Sequence, residues 1–231
     1  MQLMAGVYFY SSPGGLDFSG ELCSNTIVLQ GNKLVLIDPG TRLRLPELLD
    51  RMVADGLDPA DIEIVLLTHS HPDHLEAAPD LADKFGSRLF LSRIERDFLA
   101  ESADVFFSHH AYPQPRIKFE VCDEGSLIVS ALELKLLLTP GHSPGGLSIY
   151  FPQSKLLMTG DLFFPGAIGA INIFGGNPLD MYKSVARLRD MGGVEKVLCG
   201  HGPAIIDRDM VIQNYRALFA EIAAKKAAGI I

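Results

Sequence analysis

Several common signals are missing from this sequence. Only three cysteines, Cys23, Cys122 and Cys199, occur in 231 residues. The number is odd, there is no CxxC pair and the spacing is irregular, which argues against a disulfide framework and for the reducing cytoplasm. No apolar run approaches the ~20 residues that cross a bilayer, so no membrane partner is expected. The opening Met1-Gln2-Leu3-Met4-Ala5-Gly6-Val7-Tyr8 lacks the basic and long apolar regions of a signal peptide. There is no Lys/Arg block; the basic pair Lys225-Lys226 reads as a solvated helix end. With a net charge of −8, a nucleic-acid partner is not expected, because polyanions require a concentrated basic surface. No linker or low-complexity tract divides the chain, so residues 1–231 read as a single domain.

What is present is a core. Hydrophobic residues make up 48%, enough for one sizeable interior at this length. Apolar runs of strand type recur at 26–30, 33–37, 62–68, 88–91, 132–138, 147–151, 155–159 and 194–199. Gly31-Asn32 between the first two predicts a two-residue hairpin turn. Helical spacing is read at 46–54, with Leu48, Leu49, Met52 and Val53 on one face, and from Pro79 to Gly86. Two further helices are expected at 181–191, with Asp180 as N-cap and Tyr182, Val185 and Leu188 in a stripe, and at 208–228. Strand pairs alternating with helices in two similar halves predict two sheets with helices outside.

The histidines sit where these strands end. IEIVLLT runs into His69-Ser70-His71-Pro72-Asp73-His74, LELKLLLTPG into His142, KLLMTG into Asp161, VEKVLCG into His201, and KLVLI into Asp38-Pro39-Gly40. Strands of common orientation would deliver these side chains to one rim, where rigid elements hold them and loops leave them accessible. In an extended segment His69 and His71 point to the same side and can bind one ion together. Asp73 and His74, where the chain turns toward a helix, can face a second. Asp161 has two oxygens and can bridge ions ~3.5–4 Å apart, the spacing of two-metal hydrolytic sites. Imidazole and carboxylate suit zinc, iron or manganese. Three histidines and an aspartate in six positions after a buried strand are hard to explain as a polar surface loop.

The segments T-H-S-H-P-D-H (68–74), P-G-H-S-P-G (140–145), T-G-D (159–161) and C-G-H-G-P (199–203) resemble the metallo-β-lactamase superfamily, and within it the glyoxalase II-like (hydroxyacylglutathione hydrolase-like) branch. The resemblance spans about residues 23–205. It implies an α/β fold, a four-layer αβ/βα sandwich of two mixed sheets flanked by helices. It also implies two divalent metal ions, with zinc the first expectation and iron or manganese the alternatives. His69, His71 and His142 would hold the first ion, Asp73, His74 and His201 the second, with Asp161 between them. Asp38 would orient a ligand histidine through its ring N–H; the alternative is a plain Asp-Pro-Gly turn. Three departures stand out. Little beyond one helix follows His201, Gly169-Ala170-Ile171-Asn172 stands where the branch continues toward Gly-Arg-Thr-Asp, and Glu76-Ala77 replace small glycines. The missing arginine turns the expectation away from glutathione as substrate.

The expected function is hydrolysis of an ester-like bond in a small molecule, a thioester or lactone, by a bridging hydroxide that Asp73 and Asp161 help to orient. The alternative is a mononuclear iron dioxygenase acting on a persulfide. A nuclease runs against the acidic balance, and a metal sensor needs less than a complete ligand set. Residues 101–120, with Phe106, Phe107, His109, His110, Tyr112, Pro113 and Pro115, read as a long loop or short helix, either a lid or ordinary packing. Phe163, Phe164, Ile168, Ile171 and Phe174 could line an apolar pocket, form core, or make the contact of a homodimer. Gly175-Gly176 reads as a plain turn, Cys199 as buried packing and Tyr182 as helix stripe.

Overall fold

The apolar runs fold as strands of mixed sheets and the amphipathic segments as helices. The computed structural model describes residues 1–12, 22–107 and 118–229, and side chains outside 103–107. They group into two units, Met1–Cys122 with Ile128–Leu132, and Asp123–Leu127 with Glu133–Ile231.

The first unit is built on a seven-stranded sheet in sequential order: β1 (Gln2–Met4), β2 (Val7–Tyr10), β3 (Thr26–Gln30), β4 (Leu34–Ile37), β5 (Ile62–Leu66), β6 (Arg88–Leu91) and β7 (Glu120–Val121). The strands β1 to β4 pair antiparallel, and β4 to β7 pair parallel. Such parallel strands need both faces covered, and the sequence provides this: Val35, Leu36, Ile37, Ile64, Val65 and Leu66 are all fully buried. One face carries α1 (Leu45–Ala54), the single turn α2 (Pro72–Leu75) and α3 (Ala78–Phe85). Leu48 and Met52 of α1, Leu75 of α2 and Leu81 of α3 pack with Val28, Leu36, Val65 and Leu91 in one cluster. Each such large side chain contributes about 1.5–3 kcal/mol on burial. The longer helix α4 (Arg93–Phe107) follows β6.

Local expectations hold with small shifts. The β3–β4 connection is three residues rather than two, because Gln30 pairs with Leu34. Val53 faces outward, 60% exposed, and Leu45 takes its place in the buried stripe of α1. Gly86 ends α3 in the left-handed conformation, its N–H donating to Ala82 O.

The second unit carries a five-stranded sheet with the order β14-β11-β10-β9-β8. Its strands are β8 (Gly125–Val129), β9 (Leu132–Leu138), β10 (Leu147–Phe151), β11 (Leu156–Met158) and β14 (Lys196–Leu198), and a small hairpin of β12 (Phe163–Phe164) and β13 (Ala167–Ile168) follows β11. β10 runs antiparallel to β9 and β11, while β11 and β14 are parallel, so β9, β11 and β14 all end at one edge. Helices α5 (Pro178–Met191) and α6 (Arg208–Ala227) pack Met181, Val185, Leu188, Val211, Leu218 and Ile222 with Leu157 and Val197.

The cap of α5 differs from expectation. Asn177, not Asp180, accepts from the N–H groups of Leu179 and Asp180, and Pro178 occupies the first turn. Pro178 fixes the helical φ three residues earlier than expected, so the cap is the residue before it. Asp207 caps α6 in the same way. Tyr182 lies in the stripe as expected, its ring edge-on to Phe219 at 6.1 Å. Phe163 and Ile168 are core, Phe164 and Ile171 are half-buried against it, and Phe174 is 55% exposed. Among the described residues, no helix is long and apolar enough to cross a membrane. The residues His109, His110, Tyr112, Pro113 and Pro115 lie outside the described residues, as do the side chains of Phe106 and Phe107.

Candidate metal centre

In the first unit, β5 delivers the His69–His74 run beside the Asp38 turn that follows β4. The two segments are stitched by Asp38 N–H to Leu66 O (3.3 Å), Gly40 N–H to His74 O (3.2 Å) and Ala77 N–H to Gly40 O (3.0 Å). Asp38 adopts a left-handed backbone, φ 51°, which aspartate tolerates better than most residues. Its Oδ1 accepts the Thr68 N–H at 2.8 Å and its Oδ2 the Thr68 hydroxyl at 2.7 Å. The same Oδ2 lies 2.9 Å from His74 Nδ1. A carboxylate only accepts, so His74 carries its proton on Nδ1 and presents the Nε2 lone pair. That nitrogen stands 3.6 Å from Asp73 Oδ2.

The Thr68 hydroxyl, having given its proton to Asp38, accepts from His69 Nδ1 at 3.0 Å. This sets the tautomer of His69 too, and directs its Nε2 to His71 Nδ1, 3.0 Å away. Two ring nitrogens thus address one point. Ser70, between them, is held by Glu95 of α4, whose Oε1 accepts both the Ser70 N–H (3.1 Å) and its hydroxyl (2.8 Å). Glu95 is fully buried. Sequence spacing could not reveal it, because the contact joins positions 25 apart.

In the second unit, β9, β11 and β14 deliver His142, Asp161 and His201 at their shared edge. The His142 Nδ1–H donates to Ala170 O at 2.9 Å, so its Nε2 carries the lone pair and faces Asp161 Oδ2 at 3.7 Å. His201 Nε2 faces the same oxygen at 3.4 Å. One carboxylate oxygen therefore sits between two imidazoles. Two backbone positions permit this. Gly141 has φ +144°, and a Cβ there would lie 2.4 Å from the backbone of Met181 in α5. A Cβ on Gly169 would lie 1.8 Å from Asp161 O.

The donor set passes a simple test. Atoms sharing a zinc-sized ion at about 2.0–2.1 Å stand roughly 2.9–3.4 Å apart for angles between square and tetrahedral. The His69–His71 and His201–Asp161 pairs meet this at 3.0 and 3.4 Å, and the 3.6 and 3.7 Å pairs lie just beyond. Imidazoles with assigned lone pairs and carboxylates, without thiolate, suit zinc, iron or manganese. Cys199 does not join them: burial pushes its thiol up to about 12, and all three cysteines are free and buried. Asp38 is more than a turn residue, since it fixes His74 directly.

The sequence profile of the Metallo-beta-lactamase superfamily matches residues 20–201. The chain belongs to the metallo-β-lactamase superfamily. Its mixed sheets flanked by helices have the α/β sandwich fold of that family, and the His/Asp set suits a metal-dependent hydrolase. It resembles the metallo-beta-lactamase family protein TTHA1429 of Thermus thermophilus, with a TM-score of 0.76 and 26% identity over 98% of this chain and 82% of that one. A second solved structure, TTHA1623 in a di-iron-bound form, is 29% identical with a TM-score of 0.70, covering 83% of this chain and 93% of that one. The hydroxyacylglutathione hydrolase of Brucella ovis is 31% identical over 140 residues, 61% of this chain and 48% of that protein. The chain thus spans about half the length of that curated relative.

Proposed function

We propose that the two clusters act together as one dinuclear centre that hydrolyses an ester-like carbonyl, a thioester or lactone of a small molecule. His69, His71 and His142 would hold one ion, Asp73, His74 and His201 the other, with Asp161 shared. Family membership supports this assignment, and the observation that carries it is Asp161 Oδ2, which faces both His142 and His201. A pair of divalent ions supplies a hydroxide at neutral pH and polarises the carbonyl under attack.

The chain's own residues set the geometry. Asp38 and Thr68 keep His74 and His69 in single neutral tautomers, so neither donates a proton where a lone pair is needed. Asp73 and Asp161 orient the attacking water by accepting its hydrogens. Phe164, edge-on to the His201 ring at 5.9 Å, supports an apolar acyl group beside the centre. Ala170, whose carbonyl is occupied by His142, stands where the glyoxalase-like pattern has its arginine, which supports a substrate other than glutathione. The free, buried cysteines support a cytoplasmic location, and the exposed Ile173 and Phe174 support a homodimer.

The test is a panel of thioesters, lactones and persulfides run on full-length protein of measured metal content. Two ions per chain and turnover of a thioester or lactone without oxygen uptake are expected. A single iron with oxygen consumption on a persulfide would replace this reading with the dioxygenase one.

A further inference from the structure

Away from the ligand residues, the second unit holds a cavity of about 540 Å³ where α5 ends and α6 runs past it. This size lies within the range of small-molecule sites, roughly 300–1,000 Å³. The chain turns at Gly192 and Gly193, both with positive φ, and a Cβ on Gly192 would meet nothing within 4 Å. The turn therefore leaves the end of α5 open. Leu188, Val211, Tyr215 and Phe219 supply apolar walls. Three arginines, Arg189, Arg208 and Arg216, line the same cavity, and no carboxylate does.

That charge pattern is the informative part. The chain as a whole carries −8, yet this cavity is lined by guanidinium alone. Arg208 and Arg216 lie eight residues apart on α6, two turns and about 12 Å along one face, with Ile212 between them. Among the described residues neither makes an ion pair. Glu195, whose carboxyl is held low first by its Lys155 bond and only weakly by Arg208, is already bonded to Lys155 at 2.6 Å. Arg189 bonds Asp190 through Nε at 2.7 Å and lies over the Phe219 ring at 4.3 Å. This leaves its outer nitrogens for another acceptor. A guanidinium fork matches a carboxylate or a phosphate bidentately, and an apolar wall beside it takes hydrocarbon.

We propose that this cavity binds a medium-chain amphipathic anion, with a carboxylate or phosphate head at the arginines and the chain along Leu188, Val211 and Phe219. The test uses decanoate, kept below its micellar concentration, with 1-decanol and decyl phosphate as comparators, titrated calorimetrically into full-length protein. One decanoate or one decyl phosphate per chain is expected, with decanol at least tenfold weaker than either anion. The double variant Arg208→Gln/Arg216→Gln should weaken anion binding at least tenfold. It should leave the melting temperature, oligomeric state and thioester hydrolysis unchanged, since both side chains are exposed and outside the metal centre. Absence of binding by both anions, equal binding of decanol, or undiminished binding by the double variant would each overturn the assignment, and the ratio of decanoate to decyl phosphate affinity identifies the head. A change of oligomeric state in that variant would instead mark the cavity as a contact between copies.

Discussion

Asp38 bonds the Nδ1 edge of His74 at 2.9 Å through the same oxygen that takes the Thr68 hydroxyl. One carboxylate thereby fixes two imidazoles, His74 directly and His69 through Thr68. Partners of this kind typically contribute 10–100-fold to metal affinity or activity. Asp38→Ala should lower the metal content of purified protein and reduce kcat/KM by a factor in that range. Mass spectrometry of the native protein and steady-state kinetics check it. Full metal loading with unchanged kcat/KM would remove Asp38 from the positioning role.

Glu95 is the corresponding support for the His69–His71 pair. Its buried carboxylate accepts two bonds from Ser70, and hydrogen bonds to a charged group are worth about 1.5–3 kcal/mol each. Glu95→Ala should cost about 3–6 kcal/mol in urea unfolding, because it removes both bonds and strands the Ser70 N–H. Ser70→Ala removes only the hydroxyl bond and should cost about 1.5–3 kcal/mol. Equal losses in the two variants would show that the backbone bond carries nothing.

Gly169 tests how closely the hairpin approaches Asp161. Its φ needs no glycine, so the main obstacle to a side chain is the Asp161 carbonyl oxygen, 1.8 Å from an ideal Cβ, with Leu162 O at 3.3 Å. Gly169→Ala must push the β12–β13 hairpin or Asp161 itself. The expected outcome is a folded protein with reduced metal content and at least tenfold lower kcat. Retention of both would mean that the hairpin yields without moving the carboxylate.

These contacts mark the boundary of what the sequence made legible. The strand-end histidines, the turn at Asp38 and the helical stripes are local patterns and legible as such, apart from Val53, which its spacing put on the buried face and which lies exposed. The strands β1, β7, β12 and β13 escaped because two or three residues are too few to show a period. α4 begins at Arg93, within a stretch whose charges mask its periodicity, so the region was legible only as a loop or short helix from 101. Glu95 on Ser70, and Ala170 O on His142, join positions 25 and 28 apart. Their residue types alone, one glutamate among many and one backbone carbonyl, carry no signal. The cap at Asn177 was readable, since Pro178 follows it.

Acid should loosen the second unit through Glu124. Its carboxyl is held below the usual carboxylate range, first by the Arg187 side chain, whose two terminal nitrogens lie 2.7 and 2.9 Å from its oxygens, and further by the Leu138 N–H. A folded pKa below the unfolded one stabilises at pH above about 4.5, and the contribution disappears as pH falls through the folded value. The pair is largely exposed, so the effect is about 0.5–1 kcal/mol. Glu124→Gln should lower stability at pH 7 by this amount and match the wild type near pH 2–3, as thermal unfolding across that range would show. A difference that persists at the acid end would assign the effect to packing.

Asp161 and His201 owe their meeting to the parallel ladder of β11 and β14, in which Met158 stands opposite Leu198 and Gly200 N–H reaches Gly160 O at 2.8 Å. Both side chains hang from backbone that is already in step, three residues past paired positions. A slip of one residue would carry the imidazole about 3.3 Å along the sheet and turn it to the other side. The alignment of this pair is thus set by the register of the sheet, so the backbone itself brings the carboxylate and the imidazole into step.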